Sequence, residues 1–545
     1  MNTETSFVLL FVVATAVAIG ARRFRLPYTV ALVLAGLVLG IVHLFDPPNL
    51  TKELLYAVFL PGLLFEAAFH LEFRDFWRDR TSIAALAVPG VAAAIALTAI
   101  ILEPIIKTLS LGAGFGWSHA IVFGALIAAT DPIAVVGMFK TLGAPRRLSL
   151  LLEGESLLND GTAIVLFSMV LGVAAGGAGG VSAVGLVWEF VRVVGGGLAV
   201  GLLIGLGISQ VIRQIDDPMI EITLTTLAAY GSFLAAEQFH FSGVIATVTA
   251  GMLCGNYAAR TGMSPTTRIA AETFWEYVAF ALNSIVFLLV GLRVHIGELM
   301  DSWALILAAY AAVTLARAGV VFLVSTLNRA NTSRSWPPRW SAVLVWGGMR
   351  GGLSMVLALA LPPALAQRDL LVTVTFGVVL ISILLQGLTM GPLLRRLGIV
   401  EHHEARQKYH LKRGELRMTQ SGLAEVERME KLHLAPPSVL KTLREEYEGR
   451  VRDANASVEA LQLEQEDLRA EEEAHARRHV LLTEKEEVLD DYRRGTLAAE
   501  AYEKLMAGID ARLSRIDSGT APAAEHEAEQ PPGATRADDQ PETSR

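Results

Sequence analysis

Cysteine is almost absent from this sequence: among 545 residues there is one, Cys254, in an apolar segment. A disulfide framework and a cysteine-based metal site are both excluded by that count. Charged residues are also scarce, at 18% against 52% hydrophobic residues. This balance is too apolar for an ordinary soluble enzyme of this size, and it indicates an integral membrane protein.

A basic segment in front of the first apolar run is also lacking. Residues 7–20 form that run, and the basic residues Arg22, Arg23 and Arg25 follow it instead of preceding it. A secretory signal has the opposite order, with its positive charges first. We therefore expect a first helix that is retained in the membrane.

Apolar stretches of roughly 18 to 25 residues recur as far as residue 394, and each is long enough to cross a hydrocarbon core of about 30 Å as a helix. After residue 400 they stop. Dividing the region at charged or Gly/Pro-rich breaks predicts thirteen membrane helices. They lie near residues 5–20, 27–45, 53–70, 82–105, 117–140, 148–174, 183–212, 219–238, 241–258, 271–293, 302–327, 340–363 and 369–394.

The loops between these stretches differ in basic residues. Every second loop belongs to a set that carries most of the arginines. The loops between them hold only Lys52, Lys107, Arg293 and Arg368. The arginine-rich loops are expected to lie in the cytoplasm. This predicts a multi-pass protein of the inner or plasma membrane, with its N-terminus outside and its C-terminus in the cytoplasm.

The residues after 400 have a different character, with 32 acidic and 22 basic side chains among regularly spaced leucines. We predict a cytoplasmic helical tail over residues 401–517, broken at Ala435-Pro436-Pro437, and a disordered acidic C-terminus over residues 518–545. A solvated helix without a partner and a regulatory or dimer-stabilising module both fit the tail. The partner of the tail is left open.

Each ionisable side chain inside an apolar stretch is expected to have a structural or functional role, because a charge at the centre of a membrane helix costs at least about 2.5–3.5 kcal/mol. Eight that lie away from the likely ends of the stretches, or only slightly off centre, matter most here. They are Glu66, Asp131, Glu155, Asp160, Glu221, Glu237, Arg317 and Arg350.

The fifth stretch contains Thr130, Asp131 and Pro132. Proline removes a backbone donor and disfavours helical geometry at the residue before it, so this helix is expected to be interrupted. Interrupted membrane helices free carbonyl groups, which is tolerated where the backbone lines a cavity or coordinates an ion. A simple proline kink with a capping aspartate is the alternative.

The sixth stretch carries two polar pairs at helical spacing. Glu155 and Asn159 form one i, i+4 pair, and Ser156 and Asp160 form the next, so two adjacent stripes of oxygen atoms share one side of the helix. Hard cations prefer oxygen ligands, whereas zinc or copper would call for histidine or cysteine. A hydrogen-bonded polar seam between helices is the alternative.

The twelfth stretch places Arg350 between two pairs of glycines, in Gly347-Gly348-Met349-Arg350-Gly351-Gly352. The glycines allow the backbone to unwind, and a guanidinium in the membrane needs a carboxylate. We expect Arg350 to pair with Glu155, which leaves Asp160 as the titratable acid. An arginine that only ties helices together is the alternative.

Taken together, these segments resemble the monovalent cation/proton antiporters of the NhaP and sodium/proton-exchanger branch. The resemblance covers residues 5–394, and the order and spacing of its motifs make it specific. The motifs are Leu63-Leu64-Phe65-Glu66-Ala67-Ala68, Ala129-Thr130-Asp131-Pro132, Glu153-Gly154-Glu155-Ser156-Leu157-Leu158-Asn159-Asp160-Gly161, Phe239-His240-Phe241-Ser242-Gly243-Val244, Phe287-Leu288-Leu289-Val290-Gly291 and Gly348-Met349-Arg350-Gly351.

The resemblance implies an all-α membrane protein of thirteen helices and a homodimer. It implies an inverted repeat, with spans 1 to 6 matching spans 8 to 13 and interrupted spans 5 and 12 crossing beside the ion. It assigns the exchanging carboxylate to Asp160, with Asn159 marking the electroneutral branch. It further implies ion-site roles for the Glu155-Ser156 and Thr130-Asp131 pairs, with Arg350 paired to the glutamate.

The expected function is electroneutral exchange of one sodium ion for one proton by alternating access at Asp160, serving pH and sodium homeostasis. Residues 1–400 would form the exchanger domain, with Na⁺ (or K⁺ or Li⁺) and protons as substrates. We expect no catalysis, no cofactor and no nucleic-acid partner. The alternatives are potassium/proton exchange, a cation channel gated by the tail, and a membrane anchor that carries a signalling tail.

Overall fold

The structure is a computed structural model that describes residues 3–24, 27–42, 55–110, 114–174, 182–259, 262–293, 296–331, 335–399, 403–464 and 466–517. The chain divides into two compact units, residues 1–401 and residues 402–545. Every regular element in the described residues is helical.

Eighteen α-helices are described in the first unit, and three short π-helical turns, Leu55–Phe59, Cys254–Ala258 and Ser382–Gln386, adjoin them. The α-helices are α1 Thr3–Phe24, α2 Tyr28–Val42, α3 Leu60–His70, α4 Phe73–Ala87, α5 Pro89–Thr108, α6 Trp117–Leu126, α7 Ile133–Leu142, α8 Arg146–Gly172, α9 Ala183–Ile212, α10 Pro218–Gln238, α11 Gly243–Leu253, α12 Pro265–Leu292, α13 Ile296–Asp301, α14 Trp303–Asn331, α15 Pro338–Gly347, α16 Gly352–Leu359, α17 Arg368–Ile381 and α18 Gly387–Arg396.

Six helices in the described residues are long and apolar enough to cross a membrane, or seven if α15 and α16 count as one bent span. Five further apolar helices have 10–17 residues and fall below that length. The first unit is therefore a multi-pass membrane protein, while the number thirteen stays a prediction.

The helical boundaries differ from the predicted ones where polar residues are paired. Helix α4 begins at Phe73, although the apolar stretch begins near residue 82. The polar start of the helix is stabilised by neighbours: Arg147 donates to the buried Asp79 at 2.7 Å, and Arg146 lies 2.5 Å from Glu72. A boundary read from hydropathy alone misses these residues.

Two pairs of consecutive helices in the apolar region are separated by short non-helical breaks. Helix α6 ends at Leu126 and α7 begins at Ile133, so residues 127–132 are not helical. Helices α15 and α16 are separated by residues 348–351 and differ in direction by 42°. The two breaks touch, because the Asp131 N–H donates to the Met349 carbonyl at 2.8 Å. They lie within the predicted fifth and twelfth spans.

The second unit contains four helices: α19 His403–Lys431, α20 Pro437–Glu464, α21 Glu466–Arg493 and α22 Ala499–Asp517. Helices α19 and α20 bury Tyr409 against Val458, and the break between them adjoins Pro437. Helices α21 and α22 pair through Lys485 and Asp510 at 2.5 Å. The predicted disordered segment, residues 518–545, lies outside the described residues.

Candidate ion-binding site

Helix α8 presents its two polar stripes to different neighbours. Ser156 and Asp160 border a cavity of about 360 Å³. Glu155 and Asn159, on the next stripe, are buried in the protein. The two stripes therefore differ in that the Ser156 and Asp160 stripe borders the cavity and the Glu155 and Asn159 stripe does not.

Ser156 and Asn159, one from each stripe, bind the first helix break. Ser156 Oγ donates to the Thr130 carbonyl at 2.5 Å. Asn159 Nδ2 donates to the Ala128 carbonyl and to Thr130 Oγ1, both at 3.1 Å. These bonds satisfy backbone groups that a continuous helix would have paired internally.

Arg350 supplies the positive charge at the same break. Its Nη1 donates to the Ala128 carbonyl at 2.7 Å and to the Ala129 carbonyl at 3.2 Å, just past the C-terminal end of α6. At the other side of the break, the Ile133 N–H donates to Asp131 Oδ1 at 3.1 Å, at the N-terminal end of α7. Each helix end therefore faces a charge of the sign that its dipole favours.

Gly351 allows the two breaks to cross. A Cβ atom at this position would lie 2.2 Å from the Cβ of Asp131, which is far inside van der Waals contact. Only a residue without a side chain permits this approach of the two backbones.

The predicted pairing of Arg350 with Glu155 is wrong. Arg317, on α14, forms a two-pronged ion pair with Glu155: Nη1 donates to Oε1 at 2.5 Å and Nη2 to Oε2 at 2.6 Å. Arg317 also donates to the Leu344 carbonyl at 3.1 Å. The reason is that the guanidinium of Arg350 is engaged by the carbonyls of the break, while α14 carries the other buried arginine to α8.

Asp160 is left as the titratable acid whichever arginine pairs with Glu155. Glu155 is fully buried, and both of its oxygens are bound by one guanidinium. Asp160 has a buried Oδ1 that accepts no hydrogen bond from the described residues. An unpaired carboxylate oxygen at a cavity is the atom on which a proton or a cation can be held.

The cavity extends from this carboxylate to partly exposed charged groups. Its lining includes Thr130 and Asp131 with Ser156 and Asp160, and also Glu66, His70, Lys140 and Glu153. His70 Nδ1 lies 3.3 Å from Glu66 Oε1. The same cavity is therefore lined by the C-terminal end of α3 and by Asp160.

The family model for the transmembrane sodium/hydrogen exchanger matches residues 7–396. The chain belongs to the sodium/hydrogen exchanger family. This exchanger family consists of secondary transporters, so the chain is not an enzyme.

Curated relatives of this exchanger match along most of their length. The Na(+)/H(+) antiporter ApNhaP of Aphanothece halophytica is 37% identical, over 86% of this chain and 90% of that protein. The Na(+)/H(+) antiporter NhaG of Bacillus atrophaeus is 33% identical, over 94% and 98%. The structure of the sodium proton antiporter MjNhaP1 from Methanocaldococcus jannaschii aligns with a TM-score of 0.59 at 21% identity, covering 73% of this chain and 99% of that one.

Arg317 is the residue of this exchanger that the sequence did not assign. Arg350 also lies in an apolar stretch, and the sequence does not show which of the two arginines pairs with Glu155. The backbone partners of the second break were missed as well: the Arg350 N–H donates to Ser382 Oγ at 2.9 Å, and Ser382 Oγ donates to Gln386 Oε1 at 2.6 Å. The signal for Ser382 and Gln386 was their i, i+4 spacing in an otherwise apolar stretch.

Proposed function

We propose that this protein is an electroneutral sodium/proton antiporter in which Asp160 carries either one proton or one sodium ion. The observation that carries the proposal is the buried Asp160 Oδ1, which has no hydrogen-bond partner in the described residues, while Asp160 borders a cavity that Thr130, Asp131 and Ser156 also line. The curated relatives named above are Na(+)/H(+) antiporters, which supports the same activity here.

The exchange follows from competition for one carboxylate. Asp160 first releases its proton and the ionised carboxylate then binds sodium; in the reverse step sodium leaves and a proton binds to the same carboxylate. The protonated acid and the sodium-bound carboxylate carry the same net charge, so the loaded site is neutral in both forms. A stoichiometry of one to one follows, and the cycle moves no net charge.

The neighbouring side chains keep the count of exchangeable groups at one. Glu155 is fixed as an ion pair by Arg317, and Asn159 offers an amide where a second acid would add a charge. Ser156, Thr130 and Asp131 line the same cavity as Asp160 and can supply further oxygens. Hard cations accept such mixed carboxylate, hydroxyl and carbonyl ligands.

Alternating access is the proposed transport cycle, with thirteen spans in an inverted repeat and the crossed breaks at its centre. We place the N-terminus outside and the tail in the cytoplasm, because the arginine-rich loops favour that orientation. The cavity then opens toward the cytoplasm, on the side of Lys140. Residues 1–400 would act as the exchanger domain of a homodimer in the plasma membrane, serving pH and sodium homeostasis.

The first experiment measures the collapse of an imposed proton gradient in proteoliposomes when sodium, lithium or potassium is added. We expect sodium to collapse the gradient with the native protein and to have no effect with Asp160→Asn. Asp369→Asn is the matched control, because this aspartate is 98% exposed and does not border the cavity. Exchange retained by Asp160→Asn would refute the assignment, and a response to potassium alone would identify a potassium/proton antiporter.

A second measurement separates the exchanger from a channel. The same assay is run with the membrane potential clamped at zero and then at a negative value inside. An electroneutral exchanger gives equal initial rates, whereas a cation channel gives a rate that follows the potential. A strong dependence on potential would contradict the one-to-one cycle.

A further inference from the structure

A second cavity, of about 840 Å³, lies on the other side of α8 from the ion site. It is bounded by α4, α8, α9 and α11, and we call it the α9 groove. Leu158 and Thr162, two residues before and two after Asp160, line it, whereas Asp160 itself lines the ion cavity. Helix α8 therefore separates the two spaces.

The long wall of the groove is one apolar stripe of α9. Phe190, Val194, Leu198, Leu202 and Leu206 recur every four residues and all line the groove. At 1.5 Å per residue this stripe is about 24 Å long. One leaflet of a membrane is about 15 Å of hydrocarbon, half of a core of about 30 Å. The stripe is therefore long enough to contact a lipid acyl chain along the whole length of that chain.

One end of the groove is aromatic and basic. Arg74, Trp77 and Arg80 on α4 line this end, and Tyr257 lines it from the opposite wall. Trp77 is 53% exposed, and Arg213 Nη1 donates to the Tyr257 hydroxyl at 3.1 Å, which adds a third arginine nearby. Tryptophan, tyrosine and arginine together are typical of the level at which lipid headgroups lie.

The two arginines at this end differ from their neighbours in having no acidic partner among the described residues. Arg78 pairs with Asp75, Arg146 with Glu72, and Arg147 with Asp79. Arg80 instead stacks on the Trp77 ring, with its Cζ 4.8 Å from the ring centroid, and donates to the Trp77 carbonyl at 2.8 Å. The local carboxylates are thus taken by other arginines, which leaves Arg74 and Arg80 available to an anion.

We propose that the α9 groove is a binding site for a phospholipid with an anionic headgroup. Its phosphate binds Arg74 and Arg80, and one acyl chain lies along the stripe of α9. Charge complementarity selects an anionic over a zwitterionic headgroup, because two unpaired guanidinium groups favour a net negative ligand. The site is independent of the ion exchanged at Asp160.

The test measures lipid binding on the full-length protein in detergent and needs no transport assay. Phosphatidylglycerol and phosphatidylcholine of equal chain length are titrated, and bound lipid is counted by native mass spectrometry while the melting temperature is followed. A ligand that binds the folded state raises the melting temperature. We expect phosphatidylglycerol to bind at least tenfold more tightly than phosphatidylcholine, and inorganic phosphate at the same concentration to produce no shift.

The double variant Arg74→Gln/Arg80→Gln should lose the preference for phosphatidylglycerol over phosphatidylcholine. Its matched control is Arg78→Gln/Arg192→Gln, which removes two charges that are paired with Asp75 and Glu189 and do not line the groove. Leu198→Trp tests the acyl wall with every charge kept, and it should weaken both lipids. Equal affinity for the two lipids, an unchanged preference in the double variant, or a shift produced by inorganic phosphate would each overturn the proposal.

Discussion

The two helix breaks touch each other but are built from opposite chemistry. Residues 127–132 contain an acid, Asp131, and a hydroxyl, and this break borders the ion cavity with Thr130 and Asp131. Residues 348–351 contain an arginine between glycines, and the charge of Arg350 points to the carbonyls of the first break. One break therefore supplies oxygen atoms to the cavity, and the other supplies the charge that lets those carbonyls stay out of a helix.

The two buried arginines show the same division. Arg317 lies in the continuous helix α14 and neutralises the carboxylate of Glu155, whereas Arg350 lies in a break and its side chain donates to the carbonyls of Ala128 and Ala129. Asp131 accepts the Ile133 N–H at the start of α7. Asp160 is the acid of this group whose Oδ1 accepts no hydrogen bond within the part of the chain that the structure describes. The comparison predicts that removing a charge from an ion pair costs more than removing one from a break.

The largest expected loss of stability follows Arg317→Met, because it leaves Glu155 buried and charged without a partner. Removing one member of a buried ion pair costs about 3–5 kcal/mol. The double variant Glu155→Gln/Arg317→Met has no unpaired charge and should recover most of that loss. Thermal unfolding in detergent measures both, and equal destabilisation of the single and double variants would contradict the ion-pair argument.

Gly351→Ala should have the next largest effect, since its Cβ would lie 2.2 Å from the Cβ of Asp131 and would push the two breaks apart. Overpacking of this kind costs about 1–3 kcal/mol, and the displaced Asp131 should lower sodium-driven exchange at least tenfold. Gly172→Ala on α8 is the control, because nothing lies within 4 Å of its added Cβ. Native exchange by Gly351→Ala would show that the breaks can separate without loss of the site.

Local sequence chemistry was sufficient to locate the first break. Pro132 and the preceding Thr130-Asp131 predicted a non-helical segment, and residues 127–132 are non-helical. The two stripes of α8 followed from helical spacing alone, and Ser156 and Asp160 do share a cavity wall. These features depend on residues that are close in the chain, so single-sequence reasoning reaches them.

Features that depend on contacts between residues far apart in the chain could not be predicted from the sequence alone. Arg317 and Arg350 are equivalent by composition, since each is an arginine in an apolar stretch. Which of them meets Glu155 is decided by the position of α14 beside α8, a contact across 162 residues. The early start of α4 depends likewise on Asp79 meeting Arg147.

Arg350→Met should destabilise the protein less than Arg317→Met. It leaves the carbonyls of Ala128 and Ala129 without this donor but leaves no buried unpaired charge, and an unsatisfied buried acceptor costs about 1–3 kcal/mol. Arg350→Lys keeps the positive charge and a donor group. Its unfolding temperature should therefore lie between those of Arg350→Met and the native protein. Unfolding temperatures measured side by side give the order, and a greater loss for Arg350→Met than for Arg317→Met would reverse the comparison.

Ser156→Ala should give the smallest effect, because it removes one hydrogen bond to the Thr130 carbonyl and leaves Asn159 to hold the same residue. The loss of stability should be about 0.5–1.5 kcal/mol. The hydroxyl also borders the cavity, so the sodium concentration for half-maximal exchange should rise severalfold while the maximal rate changes little. Ser168→Ala, which removes an exposed hydroxyl on the same helix, should leave both quantities unchanged. If the two serine variants behave alike, Ser156 is a helix residue that does not contact sodium, and the cation is held by Asp160 and the first break alone.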